Sequence, residues 1–189
     1  MEKLHAILLV KSKSNRLPGK NIIDFKGKPM FLWNVEKCLK IFDEVYVSSD
    51  SDYIIDLAER NGAIGIKRGE ELCGDVPDIP VYQHALNYMS PCDGIVAVHA
   101  NNPNIKRNLI ALTKKCLEMG VDEVMTCRAI KGDPNYHRQS HEIYGSIRGI
   151  SKRRLEDYGD PYKPKPDMLF VDNSIEIETL EDYNKALNE

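Results

Sequence analysis

Apolar and polar positions change period in blocks along this chain. Leu4 to Val10 is almost wholly apolar, the pattern of a strand covered on both faces in a parallel sheet. A polar loop follows. Pro29 to Phe42 then opens with proline and repeats apolar side chains at Met30, Trp33, Val35, Cys38, Leu39 and Ile41, which predicts a helix. Glu44 to Ser48 alternates as a strand, and Tyr53 to Arg60 is predicted helical, closing on Asn61-Gly62 as a left-handed stop signal. Beyond a loop from Gly69 to Pro80, the spacing of Val81, Ala85, Leu86 and Met89 predicts a helix over Pro80 to Met89. Gly94 to Ala100 reads as a strand. Asn104 is the expected cap of a helix through Leu109, Leu112, Cys116 and Leu117 to Gly120, and Glu123 to Ile130 is the next strand. Strand and helix therefore alternate. That order predicts an α/β, Rossmann-like three-layer fold with a mainly parallel sheet, whose ligands belong at the carboxyl ends of the strands.

The pattern weakens from Lys131 to Asp167, which holds prolines, tyrosines and the basic run Lys152-Arg153-Arg154 and is expected to be an excursion. It returns at Phe170 to Val171 and Ser174 to Glu178, both read as strands. Thr179-Leu180-Glu181-Asp182 has the form of a capping box opening a last helix through Ala186. At 189 residues a single domain spanning 1–189 is expected.

Composition narrows the classes of function. A formal charge of −3 with 29% charged residues leaves no basic footprint for nucleic acid. No apolar run approaches the roughly 20 residues that span a bilayer, and Met1-Glu2-Lys3 leads into a strand with no signal-peptide pattern, so a cytoplasmic protein with no membrane partner is expected. The five cysteines include no C-x-x-C pair and their number is odd, which points to reduced thiols. Cys38 and Cys116 sit among apolar helical residues and read as small buried hydrophobes. His84 lies in a helical apolar pattern, and His5, His137 and His141 have no metal-ligand spacing.

The chemistry concentrates in the loop after the first strand. Lys11, Lys13, Arg16 and Lys20 stand there with Ser12, Ser14, Pro18 and Gly19. At a strand's carboxyl end such a loop can wrap a triphosphate with amides and charge, although composition alone fits a solvated loop equally. It is not a P-loop, because Ser14 stands where glycine and Asn21 where Ser or Thr would be needed. Glu176 and Glu178 alternate along a predicted strand and share a face, so they suit either a hard cation or a solvated acidic edge.

Leu17-Pro18-Gly19-Lys20-Asn21, Gly27-Lys28-Pro29-Met30 and Val47-Ser48-Ser49-Asp50-Ser51 together resemble the acylneuraminate cytidylyltransferase family and its relatives that activate Kdo and other nonulosonic acids. The likeness continues through Lys67 to Leu72 with Asp75, His84-Ala85-Leu86 and His99-Ala100-Asn101-Asn102-Pro103, roughly the first 130 residues, and resumes from Ile175 to Tyr183. It implies the nucleotide-diphospho-sugar transferase form of the α/β fold and a Mg²⁺-dependent transfer of CMP from CTP to a nonulosonic (sialic-type) sugar acid, releasing pyrophosphate. Other implied options are another small acceptor or base, or an inactive nucleotide-binding homologue. By the resemblance Lys11 and Lys20 are catalytic; Lys11, Ser12, Arg16, Lys20, Asn21, Arg68, His99 and Asn101 bind nucleotide; and Glu176 and Glu178 hold Mg²⁺.

Some positions depart from the family. Lys11 stands where arginine is usual, and Asn15 replaces a lysine with Arg16 next door. Glutamates replace the Asp-x-Asp pair, and His99 begins a turn that relatives write as Gln-Pro-Thr-Ser-Pro or an acidic version. His99 reads as a donor in place of that glutamine or as a packed histidine. The segment at about 131–167 matches a shortened form of the family's projecting arm, and a homodimer built partly from it is implied.

Overall fold

The computed structural model describes residues 3–129 and 141–189. Strand β1 (Leu4–Leu9) begins the sheet, and the loop after it ends in a 3-10 turn at Lys20–Ile22. A small hairpin follows, β2 (Asp24–Phe25) with β3 (Lys28–Pro29), whose two linking residues Lys26 and Gly27 both have positive φ, as two-residue hairpins of this hand require. Pro29 is therefore a strand residue and not a helix opener. Helix α1 (Leu32–Leu39) starts three residues later than its apolar spacing suggests, because Pro29 carries the hairpin that packs beneath it.

The alternation then runs through β4 (Val45–Ser49), α2 (Asp52–Arg60), β5 (Ile64–Lys67), α3 (Asp78–Leu86), β6 (Gly94–Val98), α4 (Arg107–Glu118) and β7 (Glu123–Ala129). Helix α3 opens at Asp78, two residues ahead of the expected Pro80; proline is tolerated there because first-turn amides have no helical partner. The cap of α4 is Lys106. Asn104, expected to cap it, instead donates to the carbonyl of Ala186 at 2.8 Å and ties down the last helix.

The larger difference lies in the supposed excursion. His141–Ser151 forms β8, and Lys152–Glu156 forms the short helix α5. Strand β9 (Met168–Val171) and helix α6 (Leu180–Leu187) complete the chain, with Thr179 and Asp182 making the predicted reciprocal capping box. Among the described residues seven strands form one sheet in the order β5-β4-β1-β6-β8-β7-β9. It is mainly parallel, as expected, but β8 enters antiparallel to both β6 and β7. The rest of that segment, 157–167, is irregular, and residues 130–140 lie outside the described residues.

Side chains of β1 alternate between two cores. Leu4, Ala6 and Leu8 meet α1, α2 and α4 on one face, while Ile7 meets α3 and α5 on the other. This is the three-layer arrangement. Gly149 of β8 lets α4 approach closely, since a Cβ there would stand 2.5 Å from Thr113 Cγ2. A third, smaller cluster of Phe25, Met30, Ile177 and Ala186 fixes the hairpin and the last helix against each other. No helix among the described residues is long and apolar enough to cross a membrane. The five cysteines are unpaired, and burial pushes the Cys38 thiol up to about 12, so it behaves as an inert core residue.

Strand β8 evades a pattern search because its centre carries a buried charge. Arg148 donates to Glu123 of β7 through Nε at 2.9 Å and Nη2 at 2.5 Å, and Tyr158 Oη donates to the same carboxylate at 3.1 Å. Glu123 is fully buried and Arg148 is 5% exposed. Removing one member of such a pair strands the other in low dielectric. Arg148→Met is expected to lower unfolding stability by about 3–5 kcal/mol in urea titrations, whereas the double change Arg148→Met with Glu123→Leu recovers most of that loss.

Candidate active site

The carboxyl ends of β1, β5 and β6 open into a cleft of about 790 Å³. The loop after β1 forms one wall. Gly19, in the left-handed region at φ 65°, turns the chain inward, so that Lys20 and Asn21 are each only 5% exposed. The Asn21 side-chain amide donates to the Lys11 carbonyl at 2.9 Å and pins the two ends of the loop together. Lys11, Arg16, Lys20 and Asn21 all line the cleft. Ser12 does not. Its amide and hydroxyl both donate to Asp50, which itself lines the cleft after β4.

Arg68 reaches the cleft from the end of β5, buried and donating weakly to Ser48 Oγ at 3.4 Å. His99 and Asn101 enter from the turn after β6. That turn is shaped by α1: the buried Asn34 amide donates to the carbonyls of His99 (2.9 Å) and Asn102 (2.8 Å). Lys37 donates to Asn34 Oδ1 at 2.9 Å and to the Pro103 carbonyl, and burial lowers its pKa to about 8.

The acidic segment arrives from the far side of the sheet. Ser174 to Glu178 is extended but makes no strand ladder, contrary to the sequence pattern. One backbone bond, from Ile177 N to Asn101 O at 2.8 Å, holds it, and Ile177 is fully buried in the third core cluster. Burying Ile177 turns its neighbours Glu176 and Glu178 the other way, into the cleft. The alternation expected from the sequence is present, but packing of one side chain maintains it in place of a ladder.

These groups meet at close range. The Asn101 amide nitrogen donates to Glu176 Oε1 at 3.1 Å and to Glu178 Oε1 at 2.7 Å. Lys20 forms an ion pair with Glu178, and Arg16 stands 3.5 Å from its other oxygen. His99 Nδ1 lies 3.6 Å from Glu176. Burial pushes the Glu176 carboxyl up, but His99, the Asn101 amide and the Lys20 charge outweigh it and hold the pKa at about 2. His99 responds in kind: burial disfavours its cation, yet the negative charges of Glu176 and Asp78 raise its pKa above the ordinary histidine value.

The sequence model of the cytidylyltransferase family matches residues 5–133, and those residues supply every cation of this site. The chain belongs to the cytidylyltransferase family. Among curated proteins it is similar to the pseudaminic acid cytidylyltransferase of Campylobacter jejuni, 32% identical over 112 residues covering 55% of this chain and 48% of that protein. It also resembles the 3-deoxy-manno-octulosonate cytidylyltransferase of Bdellovibrio bacteriovorus, 29% identical over 113 residues covering 57% of this chain and 43% of that protein. The chain spans about half the length of the curated relatives it matches. A solved CMP:2-keto-3-deoxy-manno-octonic acid synthetase complexed with CTP superposes with a TM-score of 0.81 at 14% identity, over 98% of this chain and 97% of that one. A 4-diphosphocytidyl-2C-methyl-D-erythritol synthase from Anaerococcus prevotii superposes at 0.70 and 15% identity, over 99% and 97%. These likenesses show the nucleotide-diphospho-sugar transferase fold.

Groups with no clear signal in the sequence hold the side chains of the cleft in place. Asp172, buried at the end of β9, accepts from Ser146 Oγ at 2.6 Å and from Ser174 N and Oγ at 3.1 and 2.7 Å. It aims the acidic segment. Asp172-Asn173-Ser174 is a local Asx-turn signal that could have marked it. Asn34 and Lys37 had no such signal, being polar residues in a helix whose partners are distant in sequence. His5 is buried and bonds Ser90 at 2.9 Å, and His84 stacks obliquely on Tyr88, so neither joins the site. His137 lies outside the described residues.

The Ser12–Asp50 tether governs the loop. Burial pushes the Asp50 carboxyl up, but the two Ser12 donors and the Arg68 charge hold it below the usual aspartate range. A depressed carboxylate stabilises fully above its unfolded pKa and ceases to do so as pH falls through its lower folded value, so the contribution of the tether begins to decline below about pH 4. Asp50→Ala should lower stability by about 1–3 kcal/mol at pH 7 and speed amide exchange at Ser12, and the stability difference should shrink as pH is taken below 4.

Proposed function

We propose that the chain transfers CMP from CTP to a nonulosonic acid and releases pyrophosphate. The observation that carries this reading is the convergence, in one cleft, of Lys11, Arg16, Lys20 and Arg68 with the paired carboxylates Glu176 and Glu178. A volume of about 790 Å³ suits a nucleotide with a sugar acid beside it. The named activities of the pseudaminic acid and 3-deoxy-manno-octulosonate relatives support the choice of CTP and of a nonulosonic acceptor.

In this reading an acceptor hydroxyl attacks the α-phosphorus of CTP, the new O–P bond forms, and the bond to the β-phosphate oxygen breaks. The protein's share is positioning and charge. Lys11 and Lys20 act as the catalytic cations. Together with Arg16 and Arg68 they hold the phosphates, while Asn21 keeps the loop closed behind them. His99 and Asn101 stand where the turn after β6 meets base and ribose.

Mg²⁺ fits the two glutamates. One Asn101 nitrogen lies within 3.1 Å of Glu176 Oε1 and within 2.7 Å of Glu178 Oε1, so a single small cation can also reach both, and the donors are all hard oxygens. Among the described residues no group of three or more His, Cys, Asp or Glu side chains is disposed to hold a metal alone. Phosphate oxygens and water would complete its shell, the usual arrangement for Mg²⁺. Bound there, the ion supplies neutralisation of triphosphate charge.

A second reading, a nucleotide-binding homologue without turnover, draws on the engagement of Glu178 by Lys20 and Arg16. Pyrophosphate release separates the two. Wild-type protein with CTP, Mg²⁺ and a panel of nonulosonic acids should release pyrophosphate; Glu176→Gln with Glu178→Gln should stay folded, with a lowered Tm because buried Lys20 loses its counter-ion, and lose at least about a hundredfold in kcat. No release with any acid or nucleoside triphosphate overturns the enzymatic reading.

A homodimer belongs to the same proposal. Edge strand β9 leaves Leu169 and Val171 more than a third exposed with no sheet neighbour on its outer side among the described residues, a surface that a second copy can cover. Five unpaired cysteines support a reducing, cytoplasmic setting. Light scattering at micromolar concentration should return twice the 21.5 kDa chain mass, and a monomer would refute the dimer.

A further inference from the structure

In the reading above, Lys20 is asked to serve two anions. Its side chain is 6% exposed and its ammonium lies against Glu178 Oε1, yet it also lines the cleft proposed for the triphosphate. An ammonium is a compact single charge with three donors, and a buried one keeps a counter-charge at all times. Glu178 is the crowded partner, held by Lys20, by Arg16 at 3.5 Å and by Asn101 at 2.7 Å. Glu176 differs. Its close contacts are Asn101 at 3.1 Å and His99 at 3.6 Å.

A divalent cation entering this site without nucleotide has to displace Lys20 from Glu178. The displaced ammonium would then stand buried beside the incoming ion, facing both desolvation and like-charge repulsion. A triphosphate changes the balance. It brings several negative charges to the same wall, so Lys20 can turn to a phosphate oxygen by rotating its flexible stem while its loop stays in place. Glu178 then needs a new counter-ion.

We propose that Lys20 is an exchangeable counter-ion that couples metal binding to nucleotide binding. It neutralises Glu178 until a triphosphate arrives, then passes to the phosphates and leaves Glu178 to the divalent ion. The coupling through this ammonium adds to that from the phosphate oxygens that complete the metal's shell, and it is reciprocal: whatever factor CTP adds to metal affinity, the metal adds to CTP affinity. Asn101 is the positioning residue in this scheme, because its amide keeps the two carboxylates together while the lysine moves. The inference rests on the CTP and Mg²⁺ reading above and deepens it.

Mn²⁺ binding to the full chain, followed by electron paramagnetic resonance and corrected for Mn²⁺ held by free CTP, tests the exchange. Wild type should bind Mn²⁺ weakly alone and about tenfold more tightly with CTP. Lys20→Met should bind Mn²⁺ without nucleotide about tenfold more tightly than wild type, and the tightening by CTP should shrink to the part supplied by direct phosphate ligation. A second pair of variants answers the question even if Lys20→Met does not fold. In EDTA, Glu178→Gln should gain several-fold in CTP affinity by calorimetry, and Glu176→Gln, which removes the same charge but not the partner of Lys20, should gain clearly less. If wild type binds Mn²⁺ and CTP together but Lys20→Met shows wild-type affinity for Mn²⁺ alone, or the two glutamine variants bind CTP equally in EDTA, the exchange is overturned and the metal site stands. If no Mn²⁺ binds even with CTP, the metal reading falls and takes the exchange with it.

Discussion

The buried ion pair between Arg148 and Glu123 is the constraint on which the second half of this molecule rests. Strand β8 runs against the direction of the sheet and sits between β6 and β7, where most of its neighbours are apolar. A charge there is tolerated only when its partner comes from the adjoining strand, which makes the pair selective for one register of β8 on β7. Once β7 is set beside β8, β9 pairs in parallel with it and ends at Asp172. Asp172 then closes back on Ser146 of β8 itself. The acidic segment is thus aimed by two polar contacts on the same inserted strand.

The cleft joins cations from the first part of the chain to paired carboxylates from its end. Its cations come from the loop after β1 and from the end of β5, and its paired carboxylates come from the segment that follows β9. Neither set is stable at low exposure without the other: Lys20 is almost fully buried, and Glu176 stays ionised because His99 and Asn101 face it. Mutual neutralisation keeps the site assembled. The α1 helix contributes no charge to the cleft, yet Asn34 and Lys37 hold the turn after β6 through three carbonyl groups.

Much of this was legible in one dimension. The apolar runs of β1 and β6 and the left-handed stop at Gly62 have local causes, so a window of a few residues contains the information. The same holds for the capping box at Thr179 and the cation-rich loop with its Gly19 turn. The elements that misled were those with distant causes. Pro29 is the local exception: it looked like a helix opener because strands of two residues are too short to show a period, although its partner Asp24 is close in sequence. Asn104 looked like a cap because its true partner is the carbonyl of Ala186. Strand β8 looked like an excursion because its central arginine is neutralised by a residue 25 positions away.

The sequence by itself determined the α/β alternation, the family resemblance and the identity of the charged groups, since each depends on residue type and short-range spacing. Tertiary structure alone decided that Ser12 anchors the loop to Asp50 and does not line the cleft, and that Asn101 bridges both glutamates. It also decided that Glu176 and Glu178 share a direction through the burial of Ile177, with no strand ladder behind them. The physical reason is the same in each case. A hydrophobic period is written along the chain, whereas the partner of a polar group is chosen by whatever donor or acceptor folding brings within about 3 Å.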